Sequence, residues 1–364
     1  MTGAGGMGDR PATLLDFPDP ARAETLLPRA GRHPYYVVAP AYRRSSIGIR
    51  CLHLLVHWLN RLGQTAWIVP YDKRLGLHTD PNLVTPELTP RVLAYHQLQG
   101  LAPIAVYPEV AYGNPLRAQT VVRFLLNFPG ILGGDTTVSA REIVFGFSRI
   151  LAEAGGAPDN VLHMPALDTE IFSPYPEEPR QGACHYLGKY RRDHGGEAFG
   201  LPPNSIEIAS DPKAMDQKMI AAIFRRSELF YVYENTGLIT EAGLCGCPTV
   251  MMPNPWLRAM IAEHELGAGG IAWGDSPEAI AEAKRTVGNV RARYQQTVAA
   301  FFIQLDHFVA VTQAHAMADP QVEPIRTIDL YRTRFVSPMA ARIKNRQRRE
   351  ARAVPVRTGS RNPL

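Results

Sequence analysis

The turn at residues 233–241 has the residue types best suited to chemistry in this chain. It follows the apolar run LFYVY and contains, in order, Glu234, Asn235, Thr236, Gly237, Leu238 and Glu241. Asn and Thr cap helices and Gly permits close backbone approach, so the turn predicts a helix start that binds an anion. The two glutamates would lie near one helix face, roughly 10 Å apart at 1.5 Å rise per residue. That spacing suits holding two hydroxyl-bearing ends of a ligand with phosphates between them. The alternative is that both glutamates only cap and solvate the helix start.

A second turn, at residues 188–195, is rich in positive charge. It follows the apolar run ACHYL and contains Gly188, Lys189, Arg191, Arg192 and His194. Four cations, counting a protonated His194, lie between glycines at the carboxyl end of a predicted strand, and this pattern suits a diphosphate. The alternative is an exposed, solvated loop.

Two turns in the first half of the chain carry weaker signals. Ser46 and Gly48 lie between the first predicted strand and helix, where small residues would admit a substrate. Glu109 and Asn114 follow the run PIAVY and should face the same cleft. They could contact an acceptor or a donor sugar. The equally weighted alternative is a turn built around a buried polar pair.

Other motifs are absent or incomplete. Cys245 and Cys247 lack the further ligands of a tetrahedral zinc site, so we expect them to pack where a helix meets a strand. The histidines show no metal-type spacing, and no G-x-S-x-G elbow occurs. The run GILGG at 130–134 lacks both the dinucleotide fingerprint and a P-loop lysine.

Composition and charge indicate a globular protein with a basic end. The chain has 364 residues, of which 45% are hydrophobic and 20% charged, with a net charge of +5. Residues 341–364 contain eight basic residues and one acidic residue, a net +7, so the rest carries a net −2. The body therefore gives no indication of a nucleic-acid groove. The N-terminus has no signal-peptide layout, and we expect a cytoplasmic protein with reduced cysteines.

Short apolar runs, the first at 35–39 and another at 161–164, are predicted strands. They alternate with helical patterns, one of which is predicted to be capped by Asp211-Pro212. This alternation predicts parallel sheets covered on both faces by helices. The proline-rich stretch at 173–182 is the natural linker between two such domains. We predict a flexible leader at 1–32, domains at 33–172 and 183–290, a C-terminal helix at 291–318 and a disordered basic tail at 319–364.

The second half resembles the nucleotide-sugar-binding domain of family-4-type glycosyltransferases of the GT-B fold. The family signature has two glutamates around a Gly-Leu pair, then Glu-Ala, Gly and Pro, as in Glu234…Gly237-Leu238…Glu241-Ala242…Gly246…Pro248. Asp168, Phe172 and Pro174 match the interdomain segment of the family, and Gly188-Lys189…His194-Gly195 matches its upstream phosphate motif. The matches span about residues 40–290. The carboxylate spacing is seven instead of eight, and His194 replaces a lysine.

The resemblance implies a fold and a reaction. The fold is two Rossmann-like parallel-sheet domains facing a cleft. Glu234 would hold donor-sugar hydroxyls and Glu241 the ribose hydroxyls. The backbone around Gly237-Leu238 would meet the pyrophosphate, helped by Lys189 and by His194 or Arg192, with more weight on Lys189 and the arginines than on His194. Sugar transfer from a UDP- or GDP-linked donor would then need no metal and would commonly retain configuration, with no cofactor beyond the donor. The acceptor would be a glycan or a lipid-linked molecule.

Two other functions and a membrane role stay open. A nucleotide-sugar epimerase of GT-B-like fold and a non-catalytic sugar-nucleotide-binding protein would share these features. The basic tail would most often be a solvated end. It could instead attach the protein peripherally to an anionic inner membrane face.

Overall fold

The computed structural model describes residues 33–71, 78–176, 179–209, 214–318 and 325–331. The predicted leader at 1–32 and most of the predicted tail at 319–364 lie outside these residues.

The first domain is built from five strands and three helices. In chain order they are β1 (Tyr35–Ala39), α1 (Ile47–Arg61), β2 (Ala66–Pro70), α2 (Pro90–Leu98), β3 (Ile104–Pro108), β4 (Thr120–Leu125), β5 (Ile143–Gly146) and α3 (Arg149–Ala154). The strands are short and almost wholly buried, as expected of a parallel sheet covered on both faces.

The second domain repeats this plan. Its elements are β6 (Ala183–Tyr186), α4 (Gly188–His194), β7 (Ile206–Glu207), α5 (Gln217–Arg226), β8 (Leu229–Val232), α6 (Leu238–Leu244), β9 (Thr249–Met251), α7 (Glu263–Leu266), β10 (Ile271–Trp273) and α8 (Pro277–Thr286). A 3₁₀ turn at Val287–Asn289 leads from α8 into the long helix α9 (Val290–Ala318).

The two sheets have equivalent strand orders. The first is β2-β1-β3-β4-β5 and the second is β10-β9-β8-β6-β7, and all their pairings are parallel. In each sheet the order reverses once, between β1 and β3 in the first and between β6 and β8 in the second. The predicted architecture of two Rossmann-like parallel-sheet α/β domains is therefore confirmed.

Helix α9 belongs to both domains. Near its start, Tyr294 packs in the second hydrophobic core, while Phe301, Leu305 and Phe308 pack in the first. The Tyr294 hydroxyl accepts a hydrogen bond from the backbone N–H of Leu167 at 2.9 Å and lies 3.3 Å from its carbonyl oxygen. The chain passes from the first domain to the second at residues 165–172 and returns to the first along α9. These two connections therefore lie side by side.

A short helix, α10 (Thr327–Tyr331), lies within the range predicted to be a disordered tail. Ile325 and Leu330 are buried in the first domain with Tyr36 and Leu93. This segment therefore packs against the first domain, because burying these two apolar side chains removes them from water.

Two local predictions need revision, and one strand was missed. Strand β4 was not predicted, because Arg123 interrupts its apolar run. The run at 161–164, predicted as a strand, makes only a single bridge between Gly146 and Val161. Helix α5 begins at Gln217 and is capped by Asp216, five residues after the predicted cap at Asp211-Pro212, which lies outside the described residues. Cys245 and Cys247 are buried free thiols, as expected of packing residues.

Candidate functional site

The carboxyl ends of the two sheets meet at a single cleft. In open parallel sheets, ligands bind outside the carboxyl ends of the strands where the strand order reverses. Here the loops after β1 and β3 from one domain face the loops after β6 and β8 from the other, across a cavity of about 420 Å³. The fold thus brings both reversal points to one cavity.

Eight of the predicted site residues line this cavity. They are Ser46, Gly48, Glu109, Lys189, Arg192, Asn235, Thr236 and Gly237. Seven other predicted residues, all within the described ranges, do not line it. They are Asn114, Gly188, Arg191, His194, Glu234, Leu238 and Glu241.

On the first-domain side, Ser46 is engaged in helix capping. Its hydroxyl accepts the N–H of Ile49 at 3.5 Å and so satisfies one of the free donors at the start of α1. Gly48 packs beside Leu126, with ordinary contact distances for an added Cβ. The wall of the cavity is thus formed by the first turn of α1.

Asn114 closes a turn beside the cavity. Its side-chain oxygen accepts the Tyr107 hydroxyl at 2.9 Å and the Ala118 N–H at 3.1 Å, and its amide donates to the Ala118 carbonyl at 2.7 Å. These contacts tie Asn114 to Tyr107 and Ala118 within the first domain.

Glu109 directly follows β3 and is only 4% exposed. Its Oε2 atom accepts the backbone N–H of Leu126 at 2.9 Å. Burial raises the pKa of Glu109 to about 7, although the Leu126 N–H and the positive charge of Lys189 both oppose the rise. The carboxyl group therefore exchanges its proton near neutral pH.

This shift predicts that Glu109→Gln stabilises the protein at high pH. Below the ordinary pKa of 4.5 the carboxyl is neutral in both states; as pH rises to about 7, only the unfolded state loses its proton, so stability falls. At about pH 8 the variant should gain on the order of 3 kcal/mol in the free energy of unfolding. Urea titrations at about pH 4 and pH 8 measure the difference. Equal stabilities at the higher pH would mean that Glu109 titrates normally.

Helix α4 places its cations on different sides. The Lys189 Nζ atom lies 3.4 Å from the Asn235 carbonyl oxygen, and Arg192 reaches the cavity while paired with Asp193 at 2.8 Å. Arg191 pairs with Glu207. The His194 ring stacks on Trp256 with centroids 3.9 Å apart. Lys189 and Arg192 are thus the cations of this helix that face the cleft.

Glu234 supports the first turn of α4. Its Oε2 atom accepts the backbone N–H of Tyr190 at 2.7 Å, and its Oε1 atom lies 3.8 Å from Lys189 Nζ. Burial raises the pKa of Glu234, and the charge of Lys189 opposes the rise. The carboxylate therefore holds Lys189 beside the cleft.

Glu241 forms an ion pair between the domains. Its Oε1 atom accepts from Arg50 Nη2 of helix α1 at 2.9 Å, and both side chains are less than a tenth exposed. Arg50 Nη1 also donates to the Ala166 carbonyl at 3.0 Å. Burial raises the pKa of Glu241, against the charge of Arg50. Sequence reasoning missed Arg50, whose only signal is a charge within the apolar helix pattern.

The turn after β8 is fixed by side-chain hydrogen bonds. The Asn235 amide donates to the Ala259 carbonyl at 2.9 Å and accepts the Ile261 N–H at 3.0 Å. An added Cβ on Gly237 would lie 3.4 Å from Ile47 of the first domain, so the two domains approach closely here. Leu238 begins helix α6.

The described part of the chain shows neither a metal-ligand cluster nor a membrane-spanning helix. In these residues no three His, Cys, Asp or Glu side chains are grouped to hold a metal ion. None of the helices described above combines the length and apolar character needed to cross a membrane.

Comparison with known proteins gives distant structural similarity. No family model and no curated protein matches the chain. The chain is similar to a sucrose-phosphate synthase from Thermosynechococcus elongatus (TM-score 0.48, 14% identity, covering 79% of this chain and 100% of that one). It is also similar to the glycosyltransferase VinC in complex with DTDP (TM-score 0.41, 13% identity, covering 79% of this chain and 100% of that one). A third similar structure is the wall teichoic acid polymerase TagF (TM-score 0.38, 11% identity, covering 82% of this chain and 90% of that one).

Proposed function

We propose that this protein is a glycosyltransferase that moves a sugar from a nucleotide-diphosphate-sugar to an acceptor hydroxyl, in glycan or cell-envelope polysaccharide synthesis. The observation that carries the proposal is the cavity itself. It is bounded by Lys189 and Arg192 from one parallel sheet domain and by Ser46 and Glu109 from the other. A cleft between two such domains suits a reaction that joins two separate substrates.

The second domain supplies the chemistry for the donor. Lys189 and Arg192 offer charge-assisted hydrogen bonds to a diphosphate, and the backbone at Thr236-Gly237 allows close approach. These cations would neutralise the leaving diphosphate without a metal ion. The donor would be UDP- or GDP-linked, as the resemblance implies.

The two glutamates of the motif enter the proposal unequally. Glu234 already lies 3.8 Å from Lys189. The same carboxylate could therefore position this cation and also bind hydroxyls of the donor sugar. Glu241 would have to exchange Arg50 for the ribose hydroxyls. The donor half of the proposal therefore rests on Lys189 and Arg192 more than on the carboxylates.

Two finer features accompany the proposal. The resemblance implies retained configuration at the anomeric carbon, which product analysis tests directly. A cytoplasmic protein held peripherally on the inner membrane face through its basic tail would suit a lipid-linked acceptor.

Nucleotide binding tests the proposal through Lys189→Ala. We expect UDP, GDP or ADP to raise the melting temperature selectively with EDTA present, because binding to the native state stabilises it. The variant should raise the dissociation constant about 10- to 100-fold, which corresponds to the free energy of one hydrogen bond to a charged group. Calorimetric titration measures both.

Lys284→Ala is the matched control. Lys284 lies on α8, pairs with Glu228 at 3.7 Å and is about half exposed, so its removal should leave binding unchanged. A folded wild-type protein that binds none of the nucleotides would refute the donor site. An epimerase would instead turn over the nucleotide-sugar without an acceptor, and a non-catalytic protein would bind it and never turn it over.

A further inference from the structure

The first domain has a second cavity, at the opposite end of its sheet from the cleft. Pro34 and Thr65 directly precede strands β1 and β2, and both residues line this cavity of about 550 Å³. The cleft lies at the carboxyl end of β1, which is five residues long, so roughly 16 Å of sheet separates the two cavities. A molecule bound in the second cavity would therefore leave the cleft open.

Aromatic rings and one cation form much of the wall of the second cavity. The side chains concerned are Trp67, Tyr95, His96 and Arg91. The centroid of the His96 ring lies 6.2 Å from that of Trp67 and 5.9 Å from that of Tyr95, so the three rings form one cluster. Among the described residues that line this cavity none is acidic. Flat apolar surfaces beside a positive charge favour a planar ring that carries an anionic group.

Arg91 lies where a cation does not favour the helix. It is the second residue of α2, after the cap Thr89 and Pro90, and a positive charge in the first turn opposes the helix dipole. Its side chain is exposed, and within the described ranges no carboxylate pairs with it. Its planar guanidinium matches the geometry of a carboxylate. Arg91 is therefore available to an anion in the second cavity.

His96 supplies a second hydrogen-bond donor. It is only 5% exposed, and its Nδ1 atom lies 2.7 Å from the hydroxyl of Tyr36, which is fully buried. In the described part of the chain this hydroxyl has no other partner, so it must donate its proton to Nδ1. Burial lowers the pKa of His96, so the neutral ring carries its own proton on Nε2. No described residue accepts a hydrogen bond from Nε2, and an acceptor oxygen in the cavity would satisfy it.

We propose that the second cavity binds a planar aromatic carboxylate, with its ring against Trp67 and Tyr95 and its carboxylate between Arg91 and His96 Nε2. A purely apolar occupant would leave both donors without an acceptor, which costs free energy at the buried His96. Because the second cavity lies away from the cleft, it suits an effector and not the sugar donor or the acceptor. The inference is therefore independent of the proposed glycosyl transfer.

Three probe molecules separate the contribution of the ring from that of the charge. Naphthoate has both, naphthalenemethanol keeps the ring without the charge, and cyclohexanecarboxylate keeps the charge without a planar ring. Calorimetric titration of the whole chain should give naphthoate a Kd on the order of 0.1–1 mM, as expected for a ligand of this size. The other two probes should bind at least about 10-fold more weakly, because each lacks one of the two interactions.

Arg91→Ala should raise the Kd of naphthoate about 10- to 100-fold, because it removes a hydrogen bond to a charged group. Arg91→Lys should restore part of the affinity, since it keeps the charge but not the planar guanidinium. Lys218→Ala is the matched control. Lys218 is likewise exposed and is the second residue of its helix, α5, after the cap Asp216, so its removal should leave the affinity unchanged.

A double variant tests the donor on His96. Combining Tyr36→Phe with His96→Phe removes both partners of the buried hydrogen bond, so neither is left unpaired and the fold should be retained. The aromatic wall stays, but the Nε2 donor is lost. The Kd of naphthoate should therefore rise about 10-fold, while that of naphthalenemethanol should change by less than about twofold.

Four results would each overturn the inference. Equal affinities for naphthoate and naphthalenemethanol would show that the second cavity selects no anion. An equal loss in Lys218→Ala and Arg91→Ala would reduce the binding to general attraction between charges. Displacement of naphthoate by UDP would place it in the cleft, and folded wild-type protein that binds no naphthoate at millimolar concentration would remove the site. None of these results depends on sugar transfer, so the proposed function is tested separately.

Discussion

Glu241→Ala is expected to lower the free energy of unfolding by about 3–5 kcal/mol, because it leaves the buried Arg50 without its charged partner. The Arg50 guanidinium would then either remain buried without a charged partner or reach water only if the domains separate. Urea denaturation followed by fluorescence measures the loss. If nucleotide binding also weakens in this variant, the change reports on the domain interface as well as on any contact with ribose.

Two further variants give this result its meaning. Glu153→Ala removes the exposed Arg149–Glu153 pair of α3, in which both side chains are about half exposed, and should cost under about 1 kcal/mol. Combining Arg50→Met with Glu241→Leu should recover much of the stability, because an apolar pair of similar volume needs no desolvation of charge. A loss in Glu241→Ala no larger than in Glu153→Ala would mean that the interdomain ion pair contributes nothing.

Gly134→Ala is expected to cost at least about 3 kcal/mol and to displace Glu109. Gly134 has φ +74°, which alanine adopts only with strain, and its new Cβ would lie 1.9 Å from the Glu109 carbonyl oxygen. That oxygen is backbone, so it can move only if the loop after β3 moves. Urea denaturation curves of the variant and the wild type measure the loss.

Gly156→Ala is the control for backbone strain. Gly156 has a similar φ of +79° but nothing within 4 Å of the new Cβ, so its cost should be about 1–2 kcal/mol. The difference between the two variants isolates the collision with Glu109. Equal losses would show that the loop after β3 yields freely and that Gly134 does not position the carboxyl group.

Much of the fold could be predicted because its signals are local. The apolar run at 35–39 and the period of the following helix need no knowledge of the rest of the chain, and β1 and α1 follow them closely. Strand β4 escaped prediction because Arg123 looks like a surface residue. Its charge is instead buried against Glu142 and backbone carbonyls, partners that only the folded loop supplies.

The site residues likewise include some that local patterns predict and some that depend on contacts distant in sequence. The turns that carry Lys189 and Thr236 were recognisable, since helix-start residues after an apolar run are a local pattern. The partner of Glu241 could not be recognised from the sequence, because Arg50 is 191 positions away and the contact depends on how the domains pack. Likewise, the pKa of Glu109 depends on burial by loops that no spacing rule connects.

Helix α9 and the crossing at residues 165–172 limit how the cleft can widen. Because α9 is anchored in both cores and Tyr294 is bonded to Leu167, the two passages between the domains form one hinge line. Rotation of the domains about that axis keeps both cores packed, whereas sliding them apart would expose the side chains of α9 that are buried in one core or the other. Arg50, bonded to Ala166, lies close to the axis and should move little, whereas groups farther out, toward the mouth, would travel most. The width of the cleft is then governed by a single angle.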